Sequence, residues 1–291
     1  IEDNDFSFNE RGAYFYFEDI DGGRADVAFV NNGVTDNRQE GIELDLNDNA
    51  MKGRFLLVGN TVADNGLYGV RLGFDEDIGA HVDLIENEIV GNGDDGVYIN
   101  NNADSSSPSN PVVNILGNHV GDNSENGIRF ESDSEAAVMD LTIAHNVIES
   151  NDVDGIKLEN TSGYLFANVL QNVLIGNEGD GVDLVFSSGG EAMMVAIGGN
   201  VFSGNLENGL RADMNNSEQM IDVFFNSFDD SDDGNNDYFA INNQGQYDIP
   251  APGNWFGTID TDVIDDDLIH DSDDNTSGTS AVAYGLVGYK L

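Results

Sequence analysis

One fixed place in a repeated pattern of this chain, two residues after a glycine, collects side chains that could do chemistry. That place holds, in successive repeats, Tyr14, Glu43, Arg71, Tyr98, Arg129, Lys157, Asp183 and Arg211. Four of the ten basic residues of the chain therefore fall in this single column. A lysine or arginine can neutralise the carboxylate of a uronate sugar or accept the proton next to it, and a tyrosine ring can stack on a sugar.

The column has two interpretations that the sequence leaves open. The first is a charge ladder, in which a base on one repeat pairs with an acid on the next and stabilises the fold by about 0–1 kcal/mol per pair. The second is a carbohydrate-binding face made by Tyr14, Arg71, Tyr98, Arg129, Lys157 and Arg211. If the face is catalytic, Lys157, Arg129 and Arg211 are the candidate residues.

The elements that position this column come from a repeat of Asn, four residues, Asn, three residues and Gly. The first Asn of the seven copies is Asn32, Asn60, Asn87, Asn118, Asn146, Asn172 and Asn200. The second Asn lies five residues later, and the Gly lies four residues after that, from Gly41 to Gly209. The period of 28, 27, 31, 28, 26 and 28 residues is typical of a solenoid.

Each repeat contains three short segments in which apolar residues alternate with polar ones. In the second copy, Phe55 and Leu57 precede the first Asn, Val62 follows it, and Val70 and Leu72 follow the Gly. A period of two predicts strands with one buried face. The chain is therefore predicted to be all-β, a single-stranded parallel β-helix of about eight to nine coils with three short strands each.

The Asn and Gly columns are interpreted as structural. Asn can hydrogen-bond the backbone at a bend and tolerates the left-handed conformation, and stacked Asn side chains can bond one another. Gly fits a position of positive φ or of close backbone approach. One domain is predicted over residues 1–291, with regular coils in 1–228 and an irregular last coil and cap in 229–291.

The repeat resembles the right-handed parallel β-helix repeat proteins, the broad class that contains the pectate-lyase-like carbohydrate enzymes. The segment Asn254-Trp255-Phe256-Gly257-Thr258 looks like the closing coil of such proteins on microbial surfaces. The resemblance covers nearly the whole chain and implies the fold. It also implies that the strand face after the glycine is where related enzymes carry their active site. It does not choose between lyases, hydrolases, epimerases and inert adhesins.

One enzyme motif within the repeat is explained without catalysis. Gly93-Asp94-Asp95-Gly96 looks like the paired-aspartate segment of polygalacturonases. Near copies recur around Asp154 and Asp180, however, and the Gly-His-Gly element of that family is absent. The segment is therefore interpreted as a product of the repeat.

The formal net charge of −45 limits the partners. Such a surface repels nucleic acid and anionic membranes. The sequence contains no apolar run of about 18 residues, so no membrane span is predicted. A halophile's surface and a calcium-loaded extracellular protein both fit this charge.

The absence of cysteine excludes disulfides. The first residue is Ile1, which indicates a processed product or a piece of a longer protein.

Calcium is the cofactor that the sequence favours. Asp229, Ser231, Asp233 and Asp237 have the oxygen-rich spacing of a calcium loop, with Gly234 at its sixth position. The position of the bidentate Glu in an EF-hand is Ala240, so the match is incomplete. A solvated acidic loop is the alternative.

The leading functional hypothesis is a non-catalytic structural or adhesive module outside the cell or on its surface. In this hypothesis the module depends on Ca²⁺. It also pairs end to end with copies of itself, because a β-helix has open sheet edges at both ends. The alternatives are a polysaccharide lyase or related uronate-acting enzyme, and a carbohydrate-binding module that holds a polysaccharide without turnover.

Overall fold

In this computed structural model the chain winds into a helix of strands, and equivalent strands of successive coils form three parallel sheets. The structure describes residues 1–18, 23–47, 52–75, 79–102, 110–134, 137–186, 193–213, 219–228, 239–245, 247–257, 264, 268–270 and 282–285. One strand from each sheet makes one coil, and eight such sets of three follow one another within these ranges. Every strand pairs in parallel with the strand one coil away. The predicted parallel β-helix is thus confirmed.

The strand bounds are as follows. Sheet 1 contains β1 Ala13–Glu18, β4 Ile42–Asn47, β7 Val70–Phe74, β10 Val97–Asn101, β13 Ile128–Ser132, β16 Ile156–Asn160, β19 Val182–Phe186, β22 Leu210–Asp213, β25 Ile241–Asn243 and β27 Ile269–His270. Sheet 2 contains β2 Arg24–Val30, β5 Lys52–Val58, β8 Gly79–Ile85, β11 Val112–Leu116, β14 Val138–Ala144, β17 Tyr164–Leu170, β20 Met193–Gly198 and β23 Gln219–Phe224. Sheet 3 contains β3 Gly33–Thr35, β6 Thr61–Ala63, β9 Glu88–Val90, β12 His119–Gly121, β15 Val147–Glu149, β18 Val173–Ile175, β21 Val201–Ser203 and β24 Ser227–Phe228. Strands β26 Ile249–Pro252 and β28 Val282–Gly285 form a separate pair.

The core is a column of apolar side chains inside the coils. The residues that alternate inward are fully buried, as at Phe55, Leu72 and Ile143. Towards the C-terminal end the filling becomes aromatic, and the rings of Phe202, Phe228 and Phe256 stack with centroids 4.7 and 5.4 Å apart. Stacking equivalent residues lets each coil bury the apolar face of the next, which a single coil could not do.

Two buried ladders of asparagine side chains join the coils. In the middle of the first, the Asn146 side chain accepts hydrogen bonds from the backbone N and the Nδ2 of Asn118 at 2.8 and 3.0 Å. Its own Nδ2 donates to the Ile115 carbonyl and to Asn172 Oδ1, both at 2.9 Å. The structural interpretation of the Asn columns is therefore confirmed, because each amide satisfies buried backbone groups as well as its neighbour.

Positive φ at the bends belongs to the residue before the asparagine. His145, for example, has φ 59° and directly precedes Asn146, and Ser150 has φ 56° and directly precedes Asn151. The repeat glycine serves close approach instead. A Cβ on Gly127 would lie 2.6 Å from the Gly155 carbonyl oxygen and 2.7 Å from Ile148 Cγ2. These distances leave no room for a side chain between neighbouring coils.

Both ladders extend beyond the seven copies seen in the sequence. Asn4 and Asn9 bond to the next rung of each ladder, so a partial coil precedes β1. At the other end, Asn226 donates to Asn254, which therefore belongs to the first ladder. Strands β25, β26 and β27 also follow residue 228. The described part of the chain contains no helix with the length and hydrophobicity needed to cross a bilayer.

Candidate functional site

The outer face of sheet 1 carries the column singled out in the sequence. Strand pairing places its members in one row, and Asn242 and His270 continue the row beyond Arg211. The successive partners are Tyr14, Glu43, Arg71, Tyr98, Arg129, Lys157, Asp183, Arg211, Asn242 and His270. This row is called the central column below. Adjacent members are one strand spacing apart, roughly 4.8 Å.

The arginines in the middle of the central column contact acids on this face. Arg71 Nη1 lies 2.8 Å from Oε1 of Glu43, which is the preceding member of the column. Arg129 lies 3.0 Å from Glu131 on its own strand and 3.4 Å from Glu159 on the next coil. The guanidinium of Arg129 is also close to the ring of Tyr98, 5.6 Å from its centroid. Both arginines are thereby engaged within the protein.

Lys157 and Arg211 share one buried carboxylate. Asp183 lies between them in the central column, 3.3 Å from Lys157 Nζ and 3.0 Å from Arg211 Nη1. Lys157 Nζ also lies 3.7 Å from Asp154 Oδ2. Burial by itself would lower the pKa of Lys157, but the charges of Asp183 and Asp154 outweigh it and raise that pKa. Lys157 is therefore held as a cation, which is the wrong protonation state for a base.

The tyrosines of this face differ in how accessible they are. The ring of Tyr98 stacks on Tyr68 with centroids 4.7 Å apart, and its hydroxyl donates to Glu131 at 3.0 Å. Burial, together with the nearby Asp94, raises the pKa of Tyr68 to about 12. Tyr14 and its neighbour Tyr16 are instead 45% and 44% exposed. Of the two tyrosines predicted as stacking platforms, Tyr14 is the open one.

A second column, which contains four buried carboxylates, is formed by the residues directly before the repeat glycines. The row runs Glu40, Tyr68, Asp95, Asn126, Asp154, Asp180 and Asn208, and it is called the pre-glycine column. Its three aspartates accept hydrogen bonds from the next coil. Asp95 Oδ1 accepts from Asn126 Nδ2 at 2.7 Å, and Asp180 Oδ1 accepts from Asn208 Nδ2 at 2.6 Å. Asp154 Oδ1 accepts the backbone N–H of Asp180 at 2.8 Å.

Burial gives these three carboxyls unusual acidities. It raises the pKa of Asp95 and of Asp154 to about 6, and that of Asp180 to about 7. Hydrogen bonds from the next coil oppose the rise but do not cancel it, because desolvation disfavours the charged form more strongly. A carboxyl that titrates near neutrality can act as a general acid or base. The sequence showed the aspartates but not their burial.

The predicted calcium loop lies outside the described residues. Asp229, Ser231, Asp233 and Asp237 all belong to the range 229–238, for which nothing further is stated. Over the described ranges, no group of three or more His, Asp or Glu side chains is arranged to hold a metal ion.

Comparison with known proteins defines the class. The family described as "Right handed beta helix region" matches residues 19–205, which is more than half of the chain. The chain therefore belongs to the right-handed β-helix family, and the resemblance seen in the sequence is confirmed.

Three solved structures are similar to this chain. The crystal structure of the periplasmic alginate epimerase AlgG has 16% sequence identity and a TM-score of 0.43, with 88% of this chain and 55% of that chain covered. Two structures of single-residue mutants of AlgG give TM-scores of 0.41 and 0.43 at the same identity. This chain thus spans about half the length of those proteins. A search of curated sequences finds no significant match.

Proposed function

We propose that this chain is a rigid, non-catalytic structural or adhesive module of a protein that acts outside the cell. The observation that supports this proposal is the ion pairing of the central column. Arg71, Arg129, Lys157 and Arg211 each contact at least one acid of sheet 1. Bases held in this way join neighbouring coils and are not free to grip an acidic substrate.

The surface charge fits a scaffold that works in a saline or calcium-rich medium. With a net charge of −45, the stacked coils repel one another along the whole rod. At 0.01 M salt this repulsion acts over about 30 Å before mobile ions screen it, whereas at 1 M salt it acts over only about 3 Å. In this proposal bound Ca²⁺ adds to the screening at the loop that contains Asp229 and Asp233. Copies of the chain then join end to end through their open sheet edges.

Added salt is expected to raise the melting temperature. We expect a rise from 10 mM to molar NaCl, because screening relieves repulsion that is stronger in the compact state. At constant ionic strength, millimolar Ca²⁺ is expected to add a further rise that Mg²⁺ does not reproduce and that Asp233→Asn reduces. Differential scanning calorimetry checks both. A melting temperature that responds to neither ion would contradict this account of the charge.

A polysaccharide panel tests the proposed lack of catalysis. Alginate, pectate and chondroitin are incubated with the protein, and the absorbance of an unsaturated product is followed. No turnover is expected on any of the three. Turnover that Lys157→Ala abolishes and Lys52→Ala preserves would overturn the proposal, since Lys52 lies outside sheet 1 on strand β5.

A second candidate is a polysaccharide lyase or related uronate-acting enzyme on the same face. The observation that favours it is the closeness of Lys157 to Asp154 and Asp183, on the face where the pKa of Asp180 is raised to about 7. General acid–base groups contribute roughly 10²–10⁴-fold to rate. In this case the Lys157 cation would neutralise the uronate carboxylate and Asp180 would transfer the proton, so Lys157→Ala and Asp180→Asn would each lower turnover by about 100-fold or more, whereas Lys52→Ala would not.

A further inference from the structure

An exposed pair of aromatic rings occupies the N-terminal end of sheet 1. Tyr14 and Tyr16 lie two residues apart on β1, so both project from the outer face of the sheet. Their centroids are 5.9 Å apart and their planes are inclined by only 25°. Nearly half of each residue is accessible to solvent. The two rings are therefore offset-stacked, and their exposed parts form an apolar strip on a strongly acidic protein.

The contrast with Tyr98 shows that such exposure is not a general property of this face. Tyr98 has Tyr68 stacked on its ring and the Arg129 guanidinium above it. Its hydroxyl donates to Glu131 and accepts from Asn100. Among the tyrosines of sheet 1 in the described ranges, Tyr14 and Tyr16 are the exposed ones, although the Arg11 guanidinium lies over the Tyr14 ring.

Polar groups surround the aromatic strip. The guanidinium carbon of Arg11 lies 4.7 Å from the ring centroid of Tyr14. Asp45, which pairs with Tyr16 across the strands, has one carboxylate oxygen 3.5 Å from the Tyr14 hydroxyl. The other oxygen of Asp45 is buried and has no hydrogen-bond partner. The pKa of Tyr16 is raised, mainly through a hydrogen bond with Glu18, so its hydroxyl stays protonated.

The charge of this rim determines which ligand fits. Arg11 contacts both Glu40 and Glu43 at 3.2 Å, so its charge is already balanced. Asp45 and Glu18 then leave the rim negative. A uronate would be repelled there, whereas a neutral sugar could place its C–H face on the rings and donate hydroxyl hydrogens to the carboxylates.

We infer that Tyr14 and Tyr16 form a binding platform for a neutral pyranose glycan, with Arg11 and Asp45 as its polar rim. The platform adds binding to the proposed scaffold and does not depend on whether the scaffold lacks catalysis. It lies at the end of the sheet, away from Lys157 and Asp180.

Binding of defined oligosaccharides tests this inference. Cellohexaose and mannohexaose are titrated into the protein by isothermal calorimetry, with a polygalacturonate hexamer as the anionic comparison. We expect measurable binding of at least one neutral hexamer and weaker binding of the anionic one. Tyr14→Ala and Tyr16→Ala should each weaken binding about fivefold to tenfold, whereas Tyr14→Phe, which keeps the ring, should retain most of it.

Phe8→Ala serves as the matched control. Phe8 is 81% exposed at the same end of the molecule but lies outside β1. Its substitution should leave binding unchanged, and melting curves of all variants show whether they are folded. Absence of neutral-glycan binding at millimolar concentration, tighter binding of the anionic hexamer, or equal loss in Phe8→Ala and Tyr14→Ala would each overturn the inference. None of these outcomes alters the result of the polysaccharide turnover panel.

Discussion

Lowering the pH from 8 to about 5 is expected to raise the free energy of unfolding of this protein by several kcal/mol. The cause is the pre-glycine column, in which burial raises the pKa of Asp95, Asp154 and Asp180 to about 6, 6 and 7. These groups bind their protons more tightly in the folded chain than in the unfolded chain. Protonation therefore favours the folded state.

The direction and the pH range follow from the two pKa values of each group. For a raised pKa, the stabilisation is complete below the unfolded value of about 4 and is lost as the pH rises through about 6 to 7. For Asp180 the difference between an ordinary 3.8 and about 7 corresponds to roughly 4 kcal/mol at pH 8. Asp154 and Asp180 repel each other, so their contributions overlap and do not simply add.

Asp180→Asn isolates the effect. Asn already occupies the same column at Asn126 and Asn208, so the substitution fits the fold. We expect it to stabilise the protein by about 3 kcal/mol at pH 8 and to have little effect at pH 4.5. Urea unfolding at a series of pH values measures this.

Asp152→Asn is the control, because it removes the same charge from an exposed side chain. It should shift stability by less than about 0.5 kcal/mol at either pH. If both variants changed the pH dependence equally, the effect would belong to overall charge and not to the buried column.

Asn146→Ala is expected to cost about 4 kcal/mol or more of folding free energy. The substitution deletes four side-chain hydrogen bonds at once, two accepted from Asn118 and two donated to Ile115 and Asn172. It leaves the Asn118 backbone N–H and the Ile115 carbonyl without these partners inside the protein. Each buried polar group left unsatisfied costs about 1–3 kcal/mol, which explains the size of the effect.

Asn168→Ala provides the comparison for the ladder. Asn168 lies on β17 in the neighbouring coil, but its side chain points outward and is exposed. Its loss should change the free energy of unfolding by no more than about 0.5 kcal/mol. Guanidinium unfolding of both variants measures the difference, and a similar small cost for the two would mean that the ladder is not a main source of stability.

The regular part of the fold was predictable because its spacing repeats in the chain. Alternating apolar residues and the Asn–Asn–Gly spacing placed the strands and the central column, down to the pairing of Arg129 with Lys157. The additional coil at Gly12–Phe17 was predicted, but its asparagines Asn4 and Asn9 were missed because only two residues, instead of three, separate Asn9 from Gly12. Asn254 was seen as part of a closing motif because the rest of its repeat is lost.

The sequence by itself determined the solenoid, its period and the residues that share each outer row, since one coil stacks on the next in a fixed register. Only the tertiary structure decided which members of those rows are covered. Tyr68 reaches across a coil to stack on Tyr98, Asp183 is shared by Lys157 and Arg211, and Asp180 is buried with its pKa raised to about 7. These features depend on side-chain direction and desolvation between coils that lie more than 20 residues apart in sequence, and a repeat pattern carries no information about either.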